Sequence, residues 1–354
     1  RYVDLGLVLA HARFRLRELA GFGLSEPAVR ELAGIRERLA AHLSTAPSAS
    51  ALIRRARTAV LSSLGLSPWL ERLLAQVRPR LVVNVVGYRL VHQLLTQCAR
   101  AQNIPVAELQ HGTIGAAHAG YTFAHGRKPP AFPDALLTFG EIWRELTPGL
   151  PLAAAQVHPV GYGWLELQRD SYPRTPQGPK RRVLFLSQRD IGRELSQLAA
   201  TLHGLLPQDK FELVYRLHPS EAAGWQTAYP GLARAGVRVE TAQARPLYAA
   251  QADADVQVGV YSTALVEGIA FGLSTCIVAL PGHKQLSFLY ERGLSQLVRD
   301  ADELGAAVRD PRAPDPKQSA ALWAPNPPAR FAAFVERSLQ STGDSDRSSL
   351  PAQP

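Results

Sequence analysis

The sequence contains no methionine, only two cysteines, and few aromatic residues, 7% of 354. Each scarcity removes a class of protein. A chain that starts at Arg1 and holds no methionine is expected to have its true N-terminus elsewhere. Cys98 and Cys276 stand far apart in apolar contexts, which suits small core residues in a reducing compartment and excludes a disulfide framework. No apolar run approaches the length that crosses a bilayer, and no secretory signal pattern is present. The cationic residues form no dense run interleaved with aromatics, and helix-turn-helix, zinc-finger and RNP patterns are missing, so no nucleic-acid partner is expected. No compact His/Cys/Asp cluster has metal-ligand spacing, which predicts metal independence and no cofactor.

What is present is a chain 46% hydrophobic and 19% charged, the composition of a globular protein of two domains, with a formal net charge of +9 that favours an anionic partner. Residues 1–64 read as helices, from apolar residues every three to four positions in Leu16–Leu19 and Val29–Leu43. Arg54, Arg55 and Arg57 cluster on the next helix, either as a solvated face or as a contact for anionic lipid. Ser67-Pro68 has the form of an N-cap and first-turn proline and predicts a further helix start.

From residue 65 the pattern alternates. Leu81–Val86, Val106–Leu109, Ala135–Phe139 and Val157–Tyr162 read as short buried strands, with helices at Leu90–Ala101 and Glu141–Leu146. The aperiodic, Pro- and Arg-rich stretch 169–182 reads as a linker. Alternation resumes with strands at Val183–Ser187, Phe211–Leu217 and Val237–Glu240 and a helix at Ile191–Leu206. Asp255–Pro281 then has the strand–helix–strand pattern of a right-handed βαβ unit. Helices at Ala301–Val308 and Pro328–Leu339 close the second half, and the polar 341–354 is expected to be disordered. The expected organisation is an N-terminal domain over 1–168 (helical 1–64, α/β core 65–168), a linker at 169–182, and a C-terminal domain over 183–340.

Polar clusters fall after strands, where open α/β sheets bind ligands. Glu108, Gln110, His111 and Gly112 follow one strand, with His118 and Tyr121 nearby; His111 has the chemistry of a base near neutral pH or of a loop histidine bonded to backbone. Ser187-Gln188-Arg189-Asp190 offers amides and a guanidinium to a phosphate, or is a plain βα loop. In Tyr215-Arg216-Leu217-His218-Pro219 the proline stops a strand, so His218, with Arg216 at matching parity, is expected to project into a crevice. Ser262 and Thr263 begin a helix, where hydroxyls cap amides that also favour anions, and Glu267 lies one turn on.

The order of these clusters resembles the GT-B glycosyltransferases, and among them the bacterial capsule, sialyltransferase-like and teichoic-acid-type (CDP-glycerol glycerophosphotransferase-like) enzymes. The resemblance covers roughly residues 80–300. It implies two Rossmann-like domains facing a cleft, with extra N-terminal helices here, and a C-terminal domain that binds an activated donor. It implies that His218, Ser262 and Thr263 meet the donor phosphates and that Glu267 holds the donor ribose or sugar; by their positions after strands, Gln188, Arg189 and Arg216 are expected to join the phosphate site. By the same resemblance His111 is the base for the acceptor hydroxyl, with Glu108 as second choice, because the acidic motif of the sialyltransferases is missing from the first half. The implied activity is sugar transfer from a nucleotide-activated donor to a glycan or lipid-linked acceptor in surface-polysaccharide assembly, in the cytoplasm at the inner membrane face. A polyol-phosphate transferase, a nucleotide-sugar 2-epimerase and a non-catalytic scaffold are the rivals.

Overall fold

The computed structural model describes residues 23–42, 46–116, 118–123, 127–174 and 178–347; the helix expected at Leu16–Leu19 lies outside them. The chain divides into two compact units. One comprises Arg1–Leu109, Lys128–Leu136 and Val335–Pro354, the other Gln110–Arg127 and Leu137–Phe334. The stretch 169–182 lies wholly within the second.

In the first unit α1 (Glu26–His42) and α2 (Ala49–Val77) are followed by β1 (Val82–Val85), α3 (Leu90–Ala101) and β2 (Val106–Leu109). The helix start expected at Ser67-Pro68 does not occur: α2 runs through Pro68 without a break. Packing explains the difference. Leu66, Leu70 and Leu74 lie on both sides of the proline and form one buried stripe against Leu94, Cys98, Ala99 and Val106. Each such burial is worth about 1.5–3 kcal/mol, enough together to outweigh the roughly 3 kcal/mol that an interior proline costs.

Downstream come β3 (Ala135–Thr138), α4 (Ile142–Glu145), β4 (Val157–Pro159) and α5 (Gly163–Ser171). There follow β5 (Arg181–Leu186), α6 (Gly192–Leu205), β6 (Phe211–Arg216), α7 (Trp225–Ala228), α8 (Pro230–Ala235) and β7 (Arg238–Glu240). The chain continues through α9 (Leu247–Ala252), β8 (Val256–Gly259), α10 (Thr263–Ala270), β9 (Ser274–Val278), α11 (Ser287–Glu291), β10 (Gln296–Val298) and α12 (Ala301–Arg309). The proline-rich stretch after it holds an unforeseen helix, α13 (Pro316–Leu322), started by the Asp315 side chain on the Gln318 N–H with Pro316 in the first turn. The last helix, α14 (Pro327–Arg347), continues beyond the Leu339 limit read from the sequence, into the stretch expected to be disordered.

The strands form two parallel sheets flanked by helices, one of order β1-β2-β3-β4 and one of order β10-β9-β8-β5-β6-β7. The six-stranded order is the doubly wound one. From β5 the chain moves outward through β6 and β7, then returns to the other side of β5 with β8 and continues outward through β9 and β10. The direction therefore reverses between β5 and β8, whose parallel register pairs Val183 with Val256 and Phe185 with Val258. Both strands are buried at their centres, and their side chains join α6 and α12 in one apolar core. Cys98 and Cys276 are free and buried, as their apolar contexts predict. Burial pushes the Cys276 thiol up to about 12, which leaves it inert near neutral pH.

Candidate functional site

A reversal of winding opens a crevice beyond the carboxyl ends of the two strands that flank it, because their connections leave toward opposite faces. Here those strands are β5 and β8, and the residues that follow them are Ser187–Ile191 and Val260–Ser262. The two loops are joined: Gln188 Oε1 accepts the Tyr261 backbone N–H at 3.3 Å. Tyr261 packs beneath Gly282, where φ is +95° and a Cβ would lie 2.5 Å from the ring, so only glycine fits there. Burial, then the neighbouring Asp190 carboxylate, raises the Tyr261 phenol above its ordinary value.

Ser262 caps α10, its Oγ accepting the Ala264 N–H at 3.3 Å. The helix is seated directly on β8, because a Cβ at Gly268 would lie 2.0 Å from Gln257 Oε1. Gln257 Nε2 in turn donates to the Leu265 carbonyl at 2.7 Å and to Thr275 Oγ1 at 2.9 Å. The N-terminal amides of α10 therefore have a fixed direction at the mouth of the crevice, the arrangement that favours a phosphate.

The loop carrying His111 meets this helix start. Buried Gln110 shapes the loop, with Oε1 accepting the Phe139 N–H at 2.8 Å and Nε2 donating to the Gly112 carbonyl at 2.8 Å. The Thr113 N–H donates to Thr263 Oγ1 at 3.3 Å, and the two threonine hydroxyls are 3.2 Å apart. His111 itself is exposed, with Nδ1 3.3 Å from the Tyr121 hydroxyl. Two clusters 150 residues apart in sequence are thus brought together.

His218 follows β6 and is exposed. Its Nδ1 accepts the Ser220 N–H at 3.2 Å, which puts the proton of the neutral ring on Nε2 as an outward donor. The turn is held by Glu221, buried among hydroxyls. Its Oε2 accepts the His218 N–H at 2.7 Å, and its Oε1 accepts from Tyr229 at 2.5 Å and Ser187 at 3.0 Å. Burial, then the bond to Glu221, pushes the Tyr229 phenol up. Arg189 is exposed beside this turn, on the loop after β5.

Arg216 departs from the sequence expectation. It does not project beside His218 but lies 7% exposed, with Nη2 donating to the Arg245 carbonyl at 2.8 Å and Nη1 3.9 Å from Glu240. Burial pulls its guanidinium down and Glu240 partly restores it, the signature of an internal ion pair. Strand parity takes no account of a partner on the neighbouring strand, and Glu240 of β7 is the carboxylate beside the buried guanidinium.

Glu267 is also inside, 9% exposed on the inner face of α10. Burial raises its carboxyl, and a hydrogen bond from Tyr248 partly offsets this. Tyr248 also bonds Tyr162, and both phenols are raised, first by burial. Glu108 belongs to the first unit and is 1% exposed; its Oε1 accepts the Gly87 N–H at 2.8 Å. It braces a turn in which Val86 has φ +60°, an uncommon conformation for a β-branched residue. Thr113, Glu221, Tyr248 and Tyr261 are contributors that the sequence clusters did not single out, whereas Tyr121 was placed there beside His111 and His118.

The architecture has known counterparts. A glycosyltransferase of kitacinnamycin matches with a TM-score of 0.55 at 18% identity, over 79% of this chain and 81% of that one. The spinosyn rhamnosyltransferase SpnG, solved with thymidine diphosphate, matches with a TM-score of 0.51 at 17% identity over 80% of each chain. A UDP-GlcNAc 2-epimerase from Neisseria meningitidis, bound to UDP-GlcNAc, matches with a TM-score of 0.51 at 12% identity, over 80% of this chain and 82% of that one. The fold is therefore that of the GT-B glycosyltransferases and the 2-epimerases that share it. No protein-family model and no curated protein matches the sequence.

Proposed function

We propose that the protein is a glycosyltransferase that moves a sugar from a nucleotide-activated donor to a glycan or lipid-linked acceptor without a metal. The observation that carries this reading is the contact of Thr113 with Thr263, which sets the His111 loop against the N-terminus of α10. An exposed imidazole and the helix N-terminus that would take the donor phosphates thereby share one end of the six-stranded sheet, at its winding reversal. That pairing suits displacement at an anomeric carbon. The acceptor O–H proton passes to His111 as the acceptor oxygen bonds to carbon, and the carbon–oxygen bond to phosphate breaks with its electron pair leaving on the nucleotide. In this reading the α10 amides, the Ser262 hydroxyl and the His218 Nε2–H would stabilise that charge. Gln188 and Arg189 border the same crevice, and Glu267 would hold the donor ribose or sugar only if Tyr248 yields.

The donor-side role of 183–340 and the acceptor-side role of 1–168 belong to this same proposal. So does service in bacterial surface-polysaccharide assembly on the cytoplasmic membrane face. Arg54 and Arg55 are exposed on α2 and are the residues that would meet anionic lipid. No described helix is long and apolar enough to cross a membrane. A polyol-phosphate donor would use the same anion site. The epimerase rival shares the fold, but its chemistry wants accessible carboxylates, and Glu108, Glu221 and Glu267 are all buried with hydrogen-bond partners.

A melt in the presence of CMP, CDP, UDP, GDP, dTDP and ADP tests the reading. One of these is expected to stabilise the parent by about 2.7 kcal/mol at a hundred times its dissociation constant. The gain should shrink in Ser262→Ala and His218→Ala. Stabilisation by none of the six would contradict the donor site and favour the scaffold. Conversion of a nucleotide-sugar to its epimer without acceptor would favour the epimerase.

A further inference from the structure

The geometry points to Tyr121 as the positioning residue of His111, an inference that rests on the reading of His111 as the acceptor base. Tyr121 is fully buried, with 0% of its surface exposed, while His111 is exposed, so the pair runs from the interior of the second unit to its surface. Their contact joins Tyr121 Oη to His111 Nδ1 at 3.3 Å. The tyrosine is itself fixed by a turn, its backbone N–H donating to the His118 carbonyl at 2.9 Å.

Which way the proton lies decides what His111 can do. With Nδ1–H donating to the phenol oxygen, Nε2 keeps its lone pair and acts as the base. With the phenol donating to Nδ1, Nε2 carries the proton and the base is lost. The proposed reaction requires the first arrangement. In it Tyr121 plays the part that a carboxylate plays in a hydrolase triad, but as a neutral acceptor: it selects the tautomer, fixes the ring and favours the imidazolium once the proton has been taken.

Two titratable groups flank His111, Tyr121 and His118, with ring centroids 6.3 and 6.4 Å away. His118 is partly buried, its Nδ1 accepts the Gly120 N–H at 3.1 Å, and burial lowers its pKa.

The test is Tyr121→Phe, which keeps the ring and removes the hydroxyl. In the parent, nitrogen-15 NMR of the His111 ring is expected to show the Nδ1–H tautomer above its titration midpoint. The variant should lose that preference, and its midpoint and the acid limb of its kcat profile should both move to lower pH. That is the sign expected when a group that stabilises the imidazolium is removed. kcat should fall about tenfold, part of the roughly 10²–10⁴ that a positioned base supplies, with KM unchanged. A merely structural tyrosine would lower the melting temperature without moving the tautomer or the pH limb. An Nε2–H tautomer in the parent overturns the inference, as does a variant with unchanged tautomer, midpoint and kcat. Failure of the transferase reading shows separately, as no nucleotide binding by the parent, and leaves the tautomer result to decide the role of Tyr121.

Discussion

His111→Ala is expected to lower turnover on a nucleotide-activated sugar by about 10²–10⁴-fold, the usual contribution of a positioned general base, while leaving nucleotide affinity unchanged. The separation follows from where the groups come from. Ser262 and the amides of α10 derive from β8 and its helix, and His218 from the turn after β6. His111 derives from the loop shaped by Gln110, and its ring nitrogen meets Tyr121, which lies on neither of those elements. Removing the imidazole therefore deletes the proton acceptor and spares the anion site. Steady-state rates with calorimetry on the same variant provide the check. Equal loss of binding and turnover would mean that His111 contacts the donor and that the base lies elsewhere. Full turnover would remove it from the chemistry.

Glu221→Ala should have the largest effect on stability of any single change near the site. The carboxylate is 5% exposed and accepts from the His218 N–H, the Tyr229 hydroxyl and the Ser187 hydroxyl. Alanine leaves these donors in place without an acceptor. At about 1–3 kcal/mol for each buried group left unsatisfied, with some relief from water and relaxation, the loss should be on the order of 3–5 kcal/mol by denaturant melt. Nucleotide affinity should fall as well, since the same carboxylate fixes the turn that presents His218 and packs against Gly192 at the start of α6. Glu221→Gln keeps the volume and one acceptor and should lose less. A stability loss below about 0.5 kcal/mol, the range of ordinary surface substitutions, would show that the hydroxyl cluster is looser than its distances imply.

Much of the fold could be read from the chain because parallel strands covered on both faces are uniformly apolar. The Val183–Leu186 part of β5 stands out for that reason, and α10 shows its own helical spacing. Misreadings arose where tertiary packing outweighs local preference. The Ser67-Pro68 pair has the form of a helix start, yet the leucine stripe on either side of it keeps α2 whole. The helix at Pro316–Leu322 was hidden because prolines that punctuate a loop also suit a first helical turn.

The site divides along the same line. Exposed residues just after strands, such as His218 and His111, are legible from strand ends and turn chemistry. Whether a polar residue beside a strand faces out or in depends on partners distant in sequence, and no spacing rule reports them. Arg216 turns inward because Glu240 waits on β7, and Glu267 because Tyr248 meets it from α9. The strand order that places the crevice between β5 and β8 was likewise absent from the sequence, since adjacent segments do not declare which neighbours they will pair with.

The central claim is that the phosphates of a nucleotide donor rest on the N-terminus of α10 beside the His111 loop. A crystal structure of the protein with the nucleoside diphosphate that stabilises it most tests this directly. The account predicts the terminal phosphate within hydrogen-bond reach of Ser262 Oγ and the first α10 amides, with His218 Nε2 turned toward it. A diphosphate bound elsewhere, with the β5–β8 crevice empty, would contradict it.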